Sequence, residues 1–124
     1  MNAKKRVLVI GLDPSVADIR QFPGLTPEKV MTGLKEEAAK LTALGYEVKN
    51  CFIDLGETAV DVVTQTLANE TFDCIAIGAG VRTGPDQFLL FERLINVVHA
   101  NAPAAKICFN TKPTDTAEAV QRWI

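Results

Sequence analysis

Three glycines, an arginine, a threonine and a proline crowd into Gly78-Ala79-Gly80-Val81-Arg82-Thr83-Gly84-Pro85-Asp86. Glycines let backbone N–H groups approach an anion closely, and an arginine adds a planar charge that grips carboxylate or phosphate. The segment follows the apolar run Cys74-Ile75-Ala76-Ile77 and precedes a helical apolar pattern. It reads as a strand-to-helix turn with Pro85 at the helix start. Gly78, Gly80, Arg82, Thr83 and Gly84 are therefore candidate ligand contacts. The same glycines would equally suit a tight turn that needs positive φ.

Two further segments carry compatible chemistry. The connection over 11–25 holds Asp13-Pro14-Ser15, Asp18, Arg20 and Phe22-Pro23-Gly24. It exceeds the ~2–6 residues usual between a strand and a helix, which suits a binding loop or lid. Asp13 is expected to pair with Arg82 across a crevice or to bond a ligand hydroxyl or amine, and Ser15 lies beside it. If the site catalyses, Asp13 is the first candidate base and Arg82 the electrostatic stabiliser. Asn110 and Thr111, after the fourth apolar run, would flank the same pocket. Thr114 is expected to cap the last helix, and Asp54 with Glu57 to form a capping-box-like pair.

Other chemistries fit poorly. The glycine pattern departs from a dinucleotide fingerprint because it follows the third strand and the next strand ends in Asn110, not an acid. A phosphate-binding P-loop sequence does not occur. A phosphorylatable aspartate after the third strand is replaced by Gly78. Cys51, Cys74 and Cys108 are widely spaced, and His99 is the one histidine, so no metal site is expected. His99 falls near the end of a helix, away from the crevice, and Cys74 starts its strand at the same wrong edge. The thiols read as buried core residues in a reducing cytoplasm. No cofactor is implied.

These residues need a scaffold. Apolar runs predict strands over 5–10, 46–53, 73–77 and 106–109. Helical spacing predicts helices from Thr26-Pro27 to Gly45, around Val60, Val63 and Leu67, over about 85–100, and over about 114–123. The first helix would bury Val30, Leu34, Ala38 and Leu41. Glu47, Lys49 and Asn50 mark the second strand as an edge. Alternating strands and helices imply a parallel sheet covered on both faces. Right-handed crossovers give a small doubly wound, flavodoxin-like α/β sandwich with strand order 2-1-3-4. The crevice between the first and third strands, at their carboxyl ends, is then the expected ligand site.

The 124 residues read as one domain over 1–124, with 48% hydrophobic and 23% charged residues and a net charge of −2. That balance, without a basic face, argues against nucleic acid, and no apolar run of about 18 residues argues for a membrane span. The stretch 88–98 is apolar on two helix faces, one with Phe88, Phe91, Ile95 and Val98 and one with Leu90, Leu94 and Val97. Phe88, Phe91, Leu94, Ile95 and Val98 are the expected contacts of a homodimer. Two functions follow. The first is a cytoplasmic domain binding a small anionic or polar molecule, with metal-independent hydrolysis or group transfer as its chemistry. The second is a non-catalytic homo-oligomeric or protein-interaction module whose glycine turn is structural.

Overall fold

The computed structural model describes residues 4–15, 24, 26–84 and 87–124. Its elements run β1 (Arg6–Leu12), α1 (Pro27–Ala43), β2 (Glu47–Ile53), α2 (Ala59–Asn69), β3 (Cys74–Ile77), α3 (Ala79–Arg82), α4 (Phe88–Asn101), β4 (Lys106–Phe109) and α5 (Thr116–Gln121). The four strands form one sheet in the order β2-β1-β3-β4, and each adjacent pair is parallel. This is the expected flavodoxin-like α/β topology. The readings placed on Asp18, Arg20, Phe22, Pro23, Pro85 and Asp86 lie outside the described residues.

Periodicity explains which side each strand residue faces. Leu8, Ile10 and Leu12 point one way with Cys51, Ile53, Ile75 and Ile77, and α2 and α4 cover them. Val7 and Val9 point the other way with Cys74, Ala76 and Cys108, beneath α1 and α5. β1 is thus buried on both faces, which is why it reads as a continuous apolar run. Each fully buried leucine or isoleucine contributes about 1.5–3 kcal/mol. β2 is an edge strand, as its charges suggested, and Glu47 and Lys49 are exposed on it.

The helices differ in how they use their stripes. Ala59, Val63 and Leu67 bury one side of α2, and Leu90, Leu94 and Val98 bury the matching side of α4. The cap of α1 is as expected: Thr26 Oγ1 accepts from Lys29 N at 3.2 Å, Pro27 opens the helix, and Gly45 leaves it with φ +99°. The buried stripe of α1 is shifted, however. Gly33, Glu37 and Leu41 are innermost, while Val30, Leu34 and Ala38 are only half-buried.

A carboxylate at the centre of that stripe has a cause. Glu37 is 3% exposed, and its Oε1 accepts from Ala117 N at 2.9 Å. Ala117 lies in the first turn of α5, where backbone N–H groups lack helical partners. The other oxygen, Oε2, pairs with Lys40 Nζ at 2.7 Å on the helix surface. The hydrogen bond that Lys40 donates to Glu37 raises the Lys40 pKa above its ordinary value. Thus α1 caps α5 from across the chain. The last helix begins at Thr116, two residues later than the sequence suggested, and its N-cap is Asp115, not Thr114.

At the amino ends of the strands Arg6 gathers several elements. Its guanidinium donates to Glu47 at 3.2 Å, Glu70 at 2.5 Å and the Thr71 carbonyl at 2.9 Å, and lies 4.8 Å from the Phe72 ring centroid.

Replacing Glu37 with alanine should strand the Ala117 N–H in a buried position. The expected loss is about 1–3 kcal/mol, read from urea unfolding. Glu37→Gln keeps an acceptor oxygen and should lose less.

Candidate functional site

The carboxyl edge of the sheet is built from four strand ends. β1 runs two residues further than expected, to Leu12. Leu12 is 5% exposed and belongs to the apolar cluster beneath α2 and α4 with Val81 and Ile77. A Cβ built on Gly80 would touch Leu12 Cδ1 at 3.9 Å. The switch-point crevice between β1 and β3 is therefore filled on that side by Leu12 and Val81.

The glycine turn is not an open cradle. Residues 79–82 form the short helix α3, which the sequence did not suggest. Gly78 N donates to Ile10 O at 2.8 Å, Ala79 N to Asn110 Oδ1 at 2.7 Å, Val81 N to Gly78 O at 3.1 Å and Thr83 N to Ala79 O at 2.9 Å. The Thr83 hydroxyl also returns to Ala79 O, at 2.9 Å. These N–H groups serve the fold and do not point at a ligand. Positive φ is not the reason for the glycines either, because among the described residues it occurs at Gly24, Gly45 and Gly56. Close approach explains Gly78, where an added Cβ would sit 3.3 Å from Ile10 O. At Gly84 an added Cβ would collide with Gln87 Oε1 at 1.8 Å, so a side chain there must displace Gln87.

Arg82 joins two strand ends. Its Nε donates to Ile77 O at 3.2 Å, and its Nη2 donates to Asn110 O. The guanidinium lies 5.1 Å from the Phe109 ring centroid, a cation–π distance. Burial lowers its pKa against the pull of Asp115, yet a guanidinium stays charged at any ordinary pH. The expected pairing with Asp13 does not occur. Asp13 instead accepts from Ser15 N at 2.9 Å and Ser15 Oγ at 2.8 Å, a local turn. Those bonds, the backbone one first, hold the exposed Asp13 carboxyl below its ordinary pKa. Asp13 N donates to Ile53 O at 2.9 Å, tying it toward β2 and away from Arg82.

Asn110 is the residue at which the edge converges. It is 4% exposed. Its Oδ1 accepts from Ala79 N, its Nδ2 donates to Thr116 Oγ1 at 3.0 Å, and its carbonyl accepts from Arg82. One side chain links the β3–α3 turn to the start of α5. Thr111 turns away, with its N and hydroxyl both bonded to Asp115. Burial raises the Asp115 pKa, but the donors of Thr111 and Lys112 outweigh it, and the net shift is downward. Gly78, Arg82, Thr83 and Asn110 thus come together, Asp13 and Ser15 form a separate exposed pair, and Thr111 joins a third group.

On the next loop Asp54 accepts from Gly56 N at 3.0 Å, from Thr58 N and from Thr58 Oγ1 at 2.7 Å. Glu57 takes no part, so the expected carboxylate pair is a single aspartate organising the turn. The Thr58 hydroxyl, then the backbone donors, lower the Asp54 pKa.

Of the expected interface residues, Leu94 and Val98 are fully buried inside the chain, and Phe91 and Ile95 pack against the same cluster. Phe91 meets Phe109 edge-on at 5.8 Å between ring centroids. Phe88 is 67% exposed, and its neighbour Leu89 is 64% exposed.

A pair of thiols was missed. The β3–β4 register sets Cys74 opposite Lys106, so Cys108 lies two residues on and on the same face. Their Sγ atoms are 3.5 Å apart and buried. The hydrogen bond with Cys108, followed by burial, pushes the Cys74 pKa far up. Strand alignment was the signal, and it needed the register. Cys51 lies on the other face, where burial raises its pKa. His99 is exposed in the last turn of α4, the helix-end position expected for it. Among the described residues no group of three or more His, Cys, Asp and Glu is placed to hold a metal, and no helix is long and apolar enough to cross a membrane.

Together these features define a small all-parallel α/β domain of flavodoxin-like topology, with a carboxyl edge knotted by an arginine and an asparagine. No protein-family model matches the chain, and no curated protein sequence shows significant similarity to it.

Asn110→Ala should cost about 2–4 kcal/mol, because it removes two buried bonds and orphans the Ala79 N–H. Arg82→Met should cost less, and the double variant should lose less than the sum, as expected for one network. Urea denaturation reads all three. Asp54 gives a pH test. Its folded pKa lies below the ordinary 3.8, so its contribution is complete above that value and is lost as pH falls through the folded pKa. The stability of Asp54→Ala should therefore fall less steeply than that of the parent protein below about pH 4.

Proposed function

We propose that this domain is a non-catalytic protein-interaction module whose glycine–arginine turn is structural. The observation that carries this reading is the internal use of Arg82. The guanidinium is held by two strand-end carbonyls and stacks near Phe109. The amides of Gly78, Ala79, Val81 and Thr83 are spent on Ile10, Asn110 and the turn itself. A ligand would have to displace bonds that the fold needs. Beside this knot, Phe88 and Leu89 open the first turn of α4 with most of their surface in water. Large exposed apolar neighbours of this kind suit contact with another protein chain. Self-association as a homodimer is the simplest form of such contact. Three free buried thiols suit a reducing compartment such as the cytoplasm.

A small-ligand reading keeps one support. Asp13 and Ser15 are exposed at the end of β1 and hold each other in a fixed turn. On that reading the domain would bind a small anionic or polar molecule there, and Asp13 would be the base of a metal-independent hydrolase or transferase.

A thermal-shift panel separates the two. Phosphate, sulfate, acetate and a set of polar metabolites are each added to the parent protein, Arg82→Met and Asp13→Ala. The module reading expects no ligand to raise the parent's midpoint in a way that either variant abolishes. A rise of about 2–4 °C from one anion, lost in Arg82→Met or Asp13→Ala, would favour the ligand reading instead.

A further inference from the structure

Cys74 and Cys108 sit on neighbouring strands and on one face of the sheet. Cys74 pairs with Lys106 in the ladder, so Cys108 is its diagonal neighbour. Their Sγ atoms lie 3.5 Å apart, a hydrogen-bonding distance for thiols. Cys51 is the contrast within the same chain. It is also buried, but it faces the opposite layer, away from the other two thiols. The pair is chemically unequal. The bond from Cys74 holds the Cys108 pKa below its ordinary value, burial opposes it and Arg122 assists it. Cys74 moves the other way. Cys108 is thus the better nucleophile, and Cys74 is the thiol that follows it.

Neither thiol is open to solvent. Their face of the sheet is covered by α1 and α5, and α5 is the smaller cover, with 6 residues resting on β3 and β4. Its contribution to the apolar cluster is two alanines and a valine, Ala117, Ala119 and Val120. Its first turn is tied down by the bonds from Ala117 to Glu37 and from Asn110 to Thr116. Local opening of so short a helix uncovers the thiols while the sheet stays folded.

We propose that Cys74 and Cys108 are a reversible redox couple, closed to a disulfide by a hydroperoxide that reaches them when α5 opens. The Cys108 thiolate attacks one peroxide oxygen. An S–O bond forms, the O–O bond breaks, and the other oxygen leaves as alcohol or water. Cys74 then attacks the Cys108 sulfenic acid. The S–S bond forms, the S–O bond breaks, and the hydroxyl leaves as water with the Cys74 proton. The thiols lose two electrons between them and the peroxide gains two. Strand spacing and rise set diagonal Cα atoms roughly 8 Å apart, beyond the ~4.4–6.8 Å usual for a bridged pair. Closure therefore draws β4 against β3. β4 is an edge strand of 4 residues with a ladder on one side only, so it is the element free to move. A bond made against the backbone is readily reduced by a small thiol, which suits a switch better than a permanent cross-link. Asn110 and its bond to Ala79 stand directly after β4, so the carboxyl edge feels the redox state. This chemistry is independent of whether the domain binds a small ligand or another protein.

The test treats the folded full chain with hydrogen peroxide, then quenches it in acid, unfolds it and alkylates it. Reduced protein should take three alkyl groups, and oxidised protein one, on Cys51. Peptide mapping should join the segments holding Cys74 and Cys108 within one chain, and dithiothreitol should restore all three thiols. Cys74→Ala should stop at a Cys108 sulfenic acid that dimedone traps. Closure should move the amide signals of β4, Ala79 and Asn110 and leave those of β2 in place. Glu37→Ala should close about fivefold or more faster, because it loosens the start of α5.

Three thiols that all stay alkylatable at peroxide levels that oxidise free glutathione would overturn the redox couple. So would closure in urea alone, a bond that uses Cys51 or joins two chains, or oxidation to sulfinic acid with no bridge. Equal rates in Glu37→Ala and the parent would rule out entry beneath α5. The mapping uses the parent chain, so it decides the matter even where a variant fails to fold.

Discussion

One guanidinium and one buried amide hold the carboxyl ends of β3 and β4 together. Parallel neighbours of four residues each leave their last carbonyls without ladder partners, and such groups must be bonded elsewhere. Arg82 takes the carbonyls of Ile77 and Asn110 from one side, and Arg122 donates to Phe109 O at 2.9 Å. The Asn110 side chain then ties the turn after β3 to the head of α5. These bonds act beside the β3–β4 ladder, the packing of α4 on α2 and the bond from Ala117 to Glu37. The short edge strand β4 would otherwise depend on its ladder, the buried Cys108 and the half-buried Ile107 and Phe109.

That constraint also explains the composition of the glycine turn. A ligand loop and a strand-end tether both want small residues and an arginine. They differ in where the donors point. Here Gly78 is small because the chain passes close to Ile10 O, and α3 follows at once. The segment that looked most chemical in the sequence works as a joint, and the open chemistry lies to either side of it. Asp13 and Ser15 stand on one side, and the exposed first turn of α4 on the other.

The strand order, the edge character of β2, the cap at Thr26-Pro27 and the stop at Gly45 were legible because each rests on local pattern or on a general topological rule. The stripe of α1 was misread by one position because Glu37 looks like a surface residue. Its partner, Ala117 N, is eighty residues away along the chain. The contacts of Arg82, Asn110 and Asp13 were illegible for the same reason, since residue type offers an arginine both a ligand and a carbonyl. Leu94 and Val98 were read as subunit contacts because two apolar faces on α4 do not say which one α2 already covers. The Cys74–Cys108 pair needed strand register, which composition does not carry.

The bond from Glu37 to Ala117 has a meaning for how the chain comes into being. Synthesis runs from the amino end, and α1 is complete long before α5 is made. Until then the Glu37 carboxylate waits in solvent, and Val7, Val9, Cys74 and Ala76 lack part of the cover that α5 gives them. The opposite face has no such delay, since α2 and α4 both precede β4. Both helices that cover one side of the sheet are therefore made before the pair that covers the other is complete. During translation, the side awaiting α5 is where a chaperone or an aggregating neighbour would find the chain.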